Sequence, residues 1–160
     1  MRTTEEILRV ASQLTEGWLF ETTTEKPEPN RLDVYLKHKE DLVPIAVGLR
    51  VQGLGYLAAI TGMDHGVEVG KMEVLYHFCT GEATVTLRVD LPRENASVPT
   101  MTEVIPGAEA FERELSEMFG VTVDGLRNPL RLYLPDDMPE DLHPLRKDVS
   151  EEEISVRAEL

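Results

Sequence analysis

The sequence predicts an α+β fold: an antiparallel or mixed sheet with helices packed on one face, followed by an extended C-terminal arm. Three observations carry that expectation. From Ala83 onward the chain alternates strictly, with Ala83, Val85, Leu87, Val89 and Leu91 on one side and Glu82, Thr84, Thr86, Arg88 and Asp90 on the other. Apolar residues recur at helical intervals in three separate segments. Beyond Val123 the chain turns rich in Pro, Asp and Arg and loses clean periodicity. The division expected is a core domain over 1–123 and an extended arm and tail over 124–160.

The elements follow in order. Thr3 stands three residues before Glu6, the spacing of a capping box, and Ile7, Leu8, Ala11 and Leu14 continue a helix to about Thr15. Residues 18–24, beginning at Trp18, read as a short strand ended by Lys26-Pro27-Glu28-Pro29-Asn30. Leu32, Val34 and Leu36 alternate with Asp33, Tyr35 and Lys37 to give a second strand. Asp41 suits the cap of a second helix with Leu42, Ile45, Ala46 and Leu49 on one face; Pro44 falls in its first turn and Gly53 closes it. The apolar run 56–61, bounded by glycines, suits a central strand. Met72, Val74, Tyr76 and Phe78 mark one face of the next strand, and Thr80-Gly81 supplies a tight turn into the alternating run, a strong hairpin signal. Residues 92–99 read as loop, and Pro106 opens a third helix that stops at Gly120.

Composition narrows the function. With 160 residues and 41% apolar content the chain buries a proper core as one domain. Its net charge of -14 repels nucleic acid and anionic lipid and favours basic patches on other proteins. The single cysteine, Cys79, excludes an internal disulfide framework and cannot supply the several thiolates of an iron–sulfur or nickel–iron centre. Next to the expected turn, it reads as a packed or idle thiol. His38, His65, His77 and His143 lack partners at zinc-ligand spacing. Gly53-Leu54-Gly55 lacks the third glycine and the following helix of a phosphate loop. The N-terminus has no hydrophobic signal core, and no stretch approaches the ~20 apolar residues of a membrane span. The expectation is a cytoplasmic chain without a catalytic, cofactor or metal site of its own.

The third helix concentrates the remaining signal. On a wheel of ~100° per residue, Ala108, Phe111, Leu115, Met118 and Phe119 form an apolar stripe. Glu112 and Glu114 fall on opposite borders of it, while Arg113 points away. Carboxylates at the rim of a buried face need partners to stay ionised, and Arg127, Arg131 and Arg146 are candidates. An acid/base role for Glu112 or Glu114 is the rival reading, but two groups so far apart on the wheel cannot share a proton. Glu109, Arg113 and Glu117 are i, i+4 neighbours and read as a solvated charge ladder. Further on, His143-Pro144-Leu145-Arg146-Lys147-Asp148 is a basic stretch in an acidic tail, suited to an acidic groove in cis or on a partner.

These segments together resemble a known family. Glu112-Arg113-Glu114, then Glu117, then Met118-Phe119-Gly120-Val121, followed by Gly125 and Arg131, is similar to the signature of the 30 kDa (C-type) subunit of respiratory NADH dehydrogenase (complex I) and of energy-converting membrane-bound hydrogenases. The His143 to Asp148 motif, Ile60-Thr61-Gly62-Met63-Asp64 and Leu75-Tyr76-His77 add to the resemblance. Glu117 stands where the family usually carries Asp, and the 125–131 segment lacks the family's His-Pro-Asp order. These departures tilt the expectation toward the hydrogenase branch. The resemblance implies a non-catalytic scaffold subunit of the hydrophilic arm, peripheral on the cytoplasmic side of the membrane. It would dock onto a hydrogenase-like large subunit and an iron–sulfur subunit. Iron–sulfur clusters, and a nickel–iron centre or quinone, would then reside in those partners. Two alternatives stand beside it: a small stand-alone enzyme using Glu112 or Glu114, and a generic interaction domain.

Overall fold

The capping box forms as the sequence predicts. Thr3 Oγ1 accepts the Glu6 N–H at 3.2 Å and the Glu6 carboxylate accepts the Thr3 N–H at 2.9 Å. It starts helix α1 (Thr4–Thr15), which buries Ile7, Leu8 and Ala11. The computed structural model describes residues 2–16 and 19–157. Strands β1 (Thr22–Glu28) and β2 (Arg31–Leu36) follow as a hairpin, then helix α2 (Leu42–Val51). Strands β3 (Tyr56–Asp64), β4 (Lys71–Thr80) and β5 (Ala83–Pro92) run as an antiparallel meander. The five strands form one sheet in the order β1-β2-β5-β4-β3, mixed because β2 pairs with β5 in parallel. A small parallel pair, β6 (Ser97–Pro99) and β7 (Thr122–Asp124), brackets helix α3 (Glu109–Phe119), and α4 (Glu151–Arg157) comes last.

One face of the sheet carries the core. Val34, Leu36, Met72, Val74, Tyr76, Phe78 and the alternating residues of β5 lie under α1, α2 and α3, as the period-two pattern requires. Gly62 admits α3 closely: a Cβ there would stand 2.6 Å from the Phe119 ring and 3.0 Å from Leu115.

The opposite face holds charge, and it is sewn together. Arg88 Nε donates to Glu73 at 2.6 Å, its Nη1 donates to Asp33 at 3.0 Å, and the guanidinium lies 4.7 Å over the Tyr35 ring. Arg31 Nε also donates to Asp33, at 2.6 Å, and His65 Nε2 lies 3.2 Å from Glu73. Burial pushes the Glu73 carboxyl up, but the Arg88 and His65 hydrogen bonds with the Arg88 charge outweigh it and hold the group below its ordinary value. Thr86, expected outside with the polar residues of β5, is fully buried; its Oγ1 lies 3.1 Å from His77 Nδ1.

Several local expectations are corrected. The first strand runs over 22–28 and includes Lys26 and Pro27, which are tolerated because β1 is an edge strand with a register shift between Glu25 and Glu28. Trp18, where that strand was expected to begin, lies outside the described residues. Asp41 makes no side-chain cap; it ends a single 3-10 turn, Lys39–Asp41, that leads into α2. The run from Tyr56 is an edge strand rather than a central one. The hairpin turn lies one residue later, at Gly81-Glu82, because Thr80 still pairs with Ala83 and Gly81 takes the positive φ of +57°. Within the expected loop 92–99, Ser97–Pro99 forms β6.

Candidate functional site

Helix α3 ends at Gly120, whose φ of +68° closes it with a left-handed turn. The chain then leaves through β7 and Gly125 (φ +91°), and residues 125–150 return across α3 without a strand or helix. Such a stretch needs anchors for its backbone polar groups. The charged residues of α3 supply them.

Glu117 is the main anchor. Its carboxylate is buried and accepts three successive backbone N–H groups, from Leu132 at 3.1 Å, Tyr133 at 3.0 Å and Leu134 at 2.7 Å. Arg113 works in the opposite sense, donating to the carbonyls of Leu130 at 2.7 Å and Arg131 at 2.6 Å. Arg131 in turn donates to the carbonyls of Pro135 at 2.6 Å and Pro139 at 3.0 Å, folding the next turn onto itself. Asn128 reaches back to Glu109 at 3.4 Å, and the segment buries its own Met138 and Leu142.

The basic hexapeptide then caps α3. His143 Nδ1 lies 3.0 Å from the Glu117 carbonyl, Arg146 Nε donates to the Phe119 carbonyl at 2.7 Å, and the Leu145 N–H donates to the Met118 carbonyl at 3.1 Å. Cationic groups belong at this negative helix end. Gly120 lets them approach, since a Cβ there would stand 2.9 Å from Arg146 Nη2. Lys147 donates its N–H to Asp64 at 2.9 Å, and Asp148 pairs with Arg93. Arg93 holds Asp64 with two hydrogen bonds of 2.9 and 3.0 Å in a buried pair. These bonds, with backbone N–H groups of Lys147 and Gly66, keep the Asp64 carboxyl well below the usual carboxylate range against the opposing effect of burial.

The segment is thus fixed from within while it shows apolar groups outward. Leu130 is 69% exposed, Tyr133 64% and Leu145 54%.

Glu112 is elsewhere. It is fully buried, accepts the Thr100 hydroxyl at 2.7 Å and the Met101 N–H, and ties α3 to the loop after β6. Burial raises its carboxyl above the ordinary value, against the lowering effect of those two bonds. Glu114 is half-buried and has no hydrogen-bond or ion-pair partner among the described residues.

The expected arginine–carboxylate pairs therefore do not form on α3. Arg113, expected to point away from the apolar stripe, meets the returning segment there and grips it, and the supposed solvated ladder of Glu109, Arg113 and Glu117 is a set of anchors for that segment. Phe111 is half-buried rather than buried; Leu115 is buried and Phe119 half-buried. Pro144, half-buried, sits between His143 and Leu145 in the capping turn. An acid/base site on Glu112 has no opening to a substrate, since the residue is closed off from solvent. Sequence reasoning missed Asp64 with Arg93 and the Asp33–Arg88–Glu73 network, because their partners lie far apart along the chain. Among the described residues no group of three or more His, Cys, Asp and Glu is arranged to hold a metal ion. No described helix is long and apolar enough to cross a membrane.

A family model described as "Respiratory-chain NADH dehydrogenase, 30 Kd subunit" matches residues 35–154. Hydrogenase-4 component G of Escherichia coli (strain K12) is 31% identical over 90% of this chain, but the match spans only 26% of that longer protein. The C-type subunit of NADH-quinone oxidoreductase from Roseiflexus sp. (strain RS-1) is 35% identical over 74% of this chain and 69% of its own length. Among solved structures, a chain of the membrane-bound sulfane sulfur reductase, an archaeal respiratory membrane complex, superposes with a TM-score of 0.72 at 21% identity. The superposition takes in 95% of this chain and 91% of that one, a likeness of fold.

Proposed function

The chain belongs to the respiratory-chain NADH dehydrogenase 30 kDa subunit family, and from that premise we propose that it is a non-catalytic scaffold subunit of a membrane-associated redox complex. The core is 1–123 and the docking arm 124–160. The arm seats on a hydrogenase-like large subunit, beside an iron–sulfur subunit, on the cytoplasmic side of the membrane. The clusters, and the quinone site or nickel–iron centre, belong to those partners. Relatives named as components of a hydrogenase and of an NADH-quinone oxidoreductase support this reading.

The observation that carries it is the use of charge on α3. Glu117 and Arg113 spend their charges on backbone groups of 130–134, fixing a segment whose Leu130 and Tyr133 face outward. That arrangement lowers the entropy cost of binding, because the docking element is ordered before the partner arrives.

Substituting Leu130→Asp and Tyr133→Asp together tests it. Both side chains are exposed, so the melting temperature of the chain should stay within error of wild type. Recovery of the partner subunits with the tagged chain in mild detergent should fall at least about tenfold, the loss expected when ~1.4 kcal/mol or more of interface energy is removed. Undiminished recovery would show that this segment is not the docking surface.

A further inference from the structure

The two edges of the main sheet are built differently. β1 carries Glu25, Lys26, Pro27 and Glu28 with a register shift among them, the charges and proline that discourage another strand from adding. β3 runs Tyr56-Leu57-Ala58-Ala59-Ile60-Thr61-Gly62-Met63 without a charge or a proline; it has a register shift between Leu57 and Ala59 but pairs regularly over 59–64, and the terminal Asp64 is turned inward to Arg93. Its backbone pairs with β4 alone; among the described residues no backbone group of 56–63 has a hydrogen-bonding partner on the outer side. α3 covers the inner face at Gly62 and leaves that edge uncovered by any strand. Exposed apolar residues occur along the same stretch: Tyr56 at its start, Met63 at its end, and Val67 and Val69 in the turn beyond.

The regular stretch 59–63, with neither charge nor proline, is an aggregation hazard in a free-standing protein. It is well suited to strand addition, in which main-chain hydrogen bonds give affinity and side-chain pockets give selectivity. We propose that the outer edge of β3 takes up an extended apolar strand with basic flanks from another subunit of the complex, adding a sixth strand to the sheet. This rests on the reading of the chain as a complex subunit. A second copy is the poorer occupant. Each copy brings a net charge of -14, so two copies repel one another overall. A strand with basic flanks meets the same charges favourably.

Residue-resolved hydrogen exchange on the full chain, alone and in the assembled complex, is the test. Alternate amides of β3 should exchange at least about tenfold more slowly in the complex, while β1 should be unchanged. In parallel, Met63→Lys on the half-exposed edge should keep the melting temperature yet cut recovery in the complex about tenfold, and Thr23→Lys on β1 should do neither. A complex that forms with β3 exchange unaltered, or with all β3 amides slowed alike, overturns strand addition but leaves the subunit reading standing. Failure to recover any complex overturns both. A chain that dimerises by itself at micromolar concentration with β3 protected makes the second copy the occupant and overturns the proposal.

Discussion

Glu117 places a carboxylate where it is only 8% exposed, which is tolerable because three backbone N–H groups converge on it. Converting it to Gln keeps the shape but weakens charge-assisted acceptance, so Glu117→Gln should cost about 1–3 kcal/mol in a urea titration. A change under about 0.5 kcal/mol would mean that the segment is held by its apolar contacts alone. Asp64 makes a second residue-level case, with a definite sign. Arg93 lowers its carboxyl in the folded state, so its stabilisation is present above the ordinary Asp value and is lost as pH falls below about 4 toward the depressed value. The melting temperature of Asp64→Asn should therefore lie below wild type at neutral pH, with the gap narrowing steadily as pH falls below about 4. Parallel curves across that range would deny the pair this role.

At the scale of elements, the tightest seam is α3 on β3. Gly62→Ala places a methyl 2.6 Å from the Phe119 ring, between the helix and the edge strand. Overpacking of this kind should cost about 1–3 kcal/mol in thermal or denaturant unfolding. A variant as stable as wild type would show that α3 lifts without cost. How far the sequence was legible also divides by element. Helix α1, the β4/β5 hairpin and the end of α3 were readable because a capping box, strict alternation and a left-handed glycine are local signals. Ser97–Pro99 was unreadable as a strand because three residues carry no period, and its partner β7 lies across α3. The interior of β1 was misjudged because Pro27 signals a stop unless the strand is known to lie at an edge. On α3 the importance of Glu112, Arg113 and Glu117 was visible but their partners were not. A wheel places a side chain on a face; it does not say that the facing group is a backbone 17 residues later, as for Glu117 at Leu134 or Arg113 at Leu130.

Over the whole molecule, charge is sorted by use. The face of the sheet opposite the helices balances Arg31 and Arg88 against Asp33 and Glu73, and Asp64, Arg93 and Asp148 close a second network where the tail crosses the sheet. The remaining acid gives the chain a net charge of -14, which disfavours close approach of two copies and favours basic surfaces. Apart from Leu19, Val47, Val51 and Val156, the exposed large apolar side chains fall on the returning segment and on β3 with the turn after it, surfaces that a complex would cover. The most direct test is affinity purification of the tagged chain from its native cells in mild detergent, with the co-eluting subunits weighed by mass spectrometry. The account predicts stoichiometric recovery of a hydrogenase-like large subunit and an iron–sulfur subunit, and recovery of the chain alone, or with partners that carry no redox centre, would contradict it.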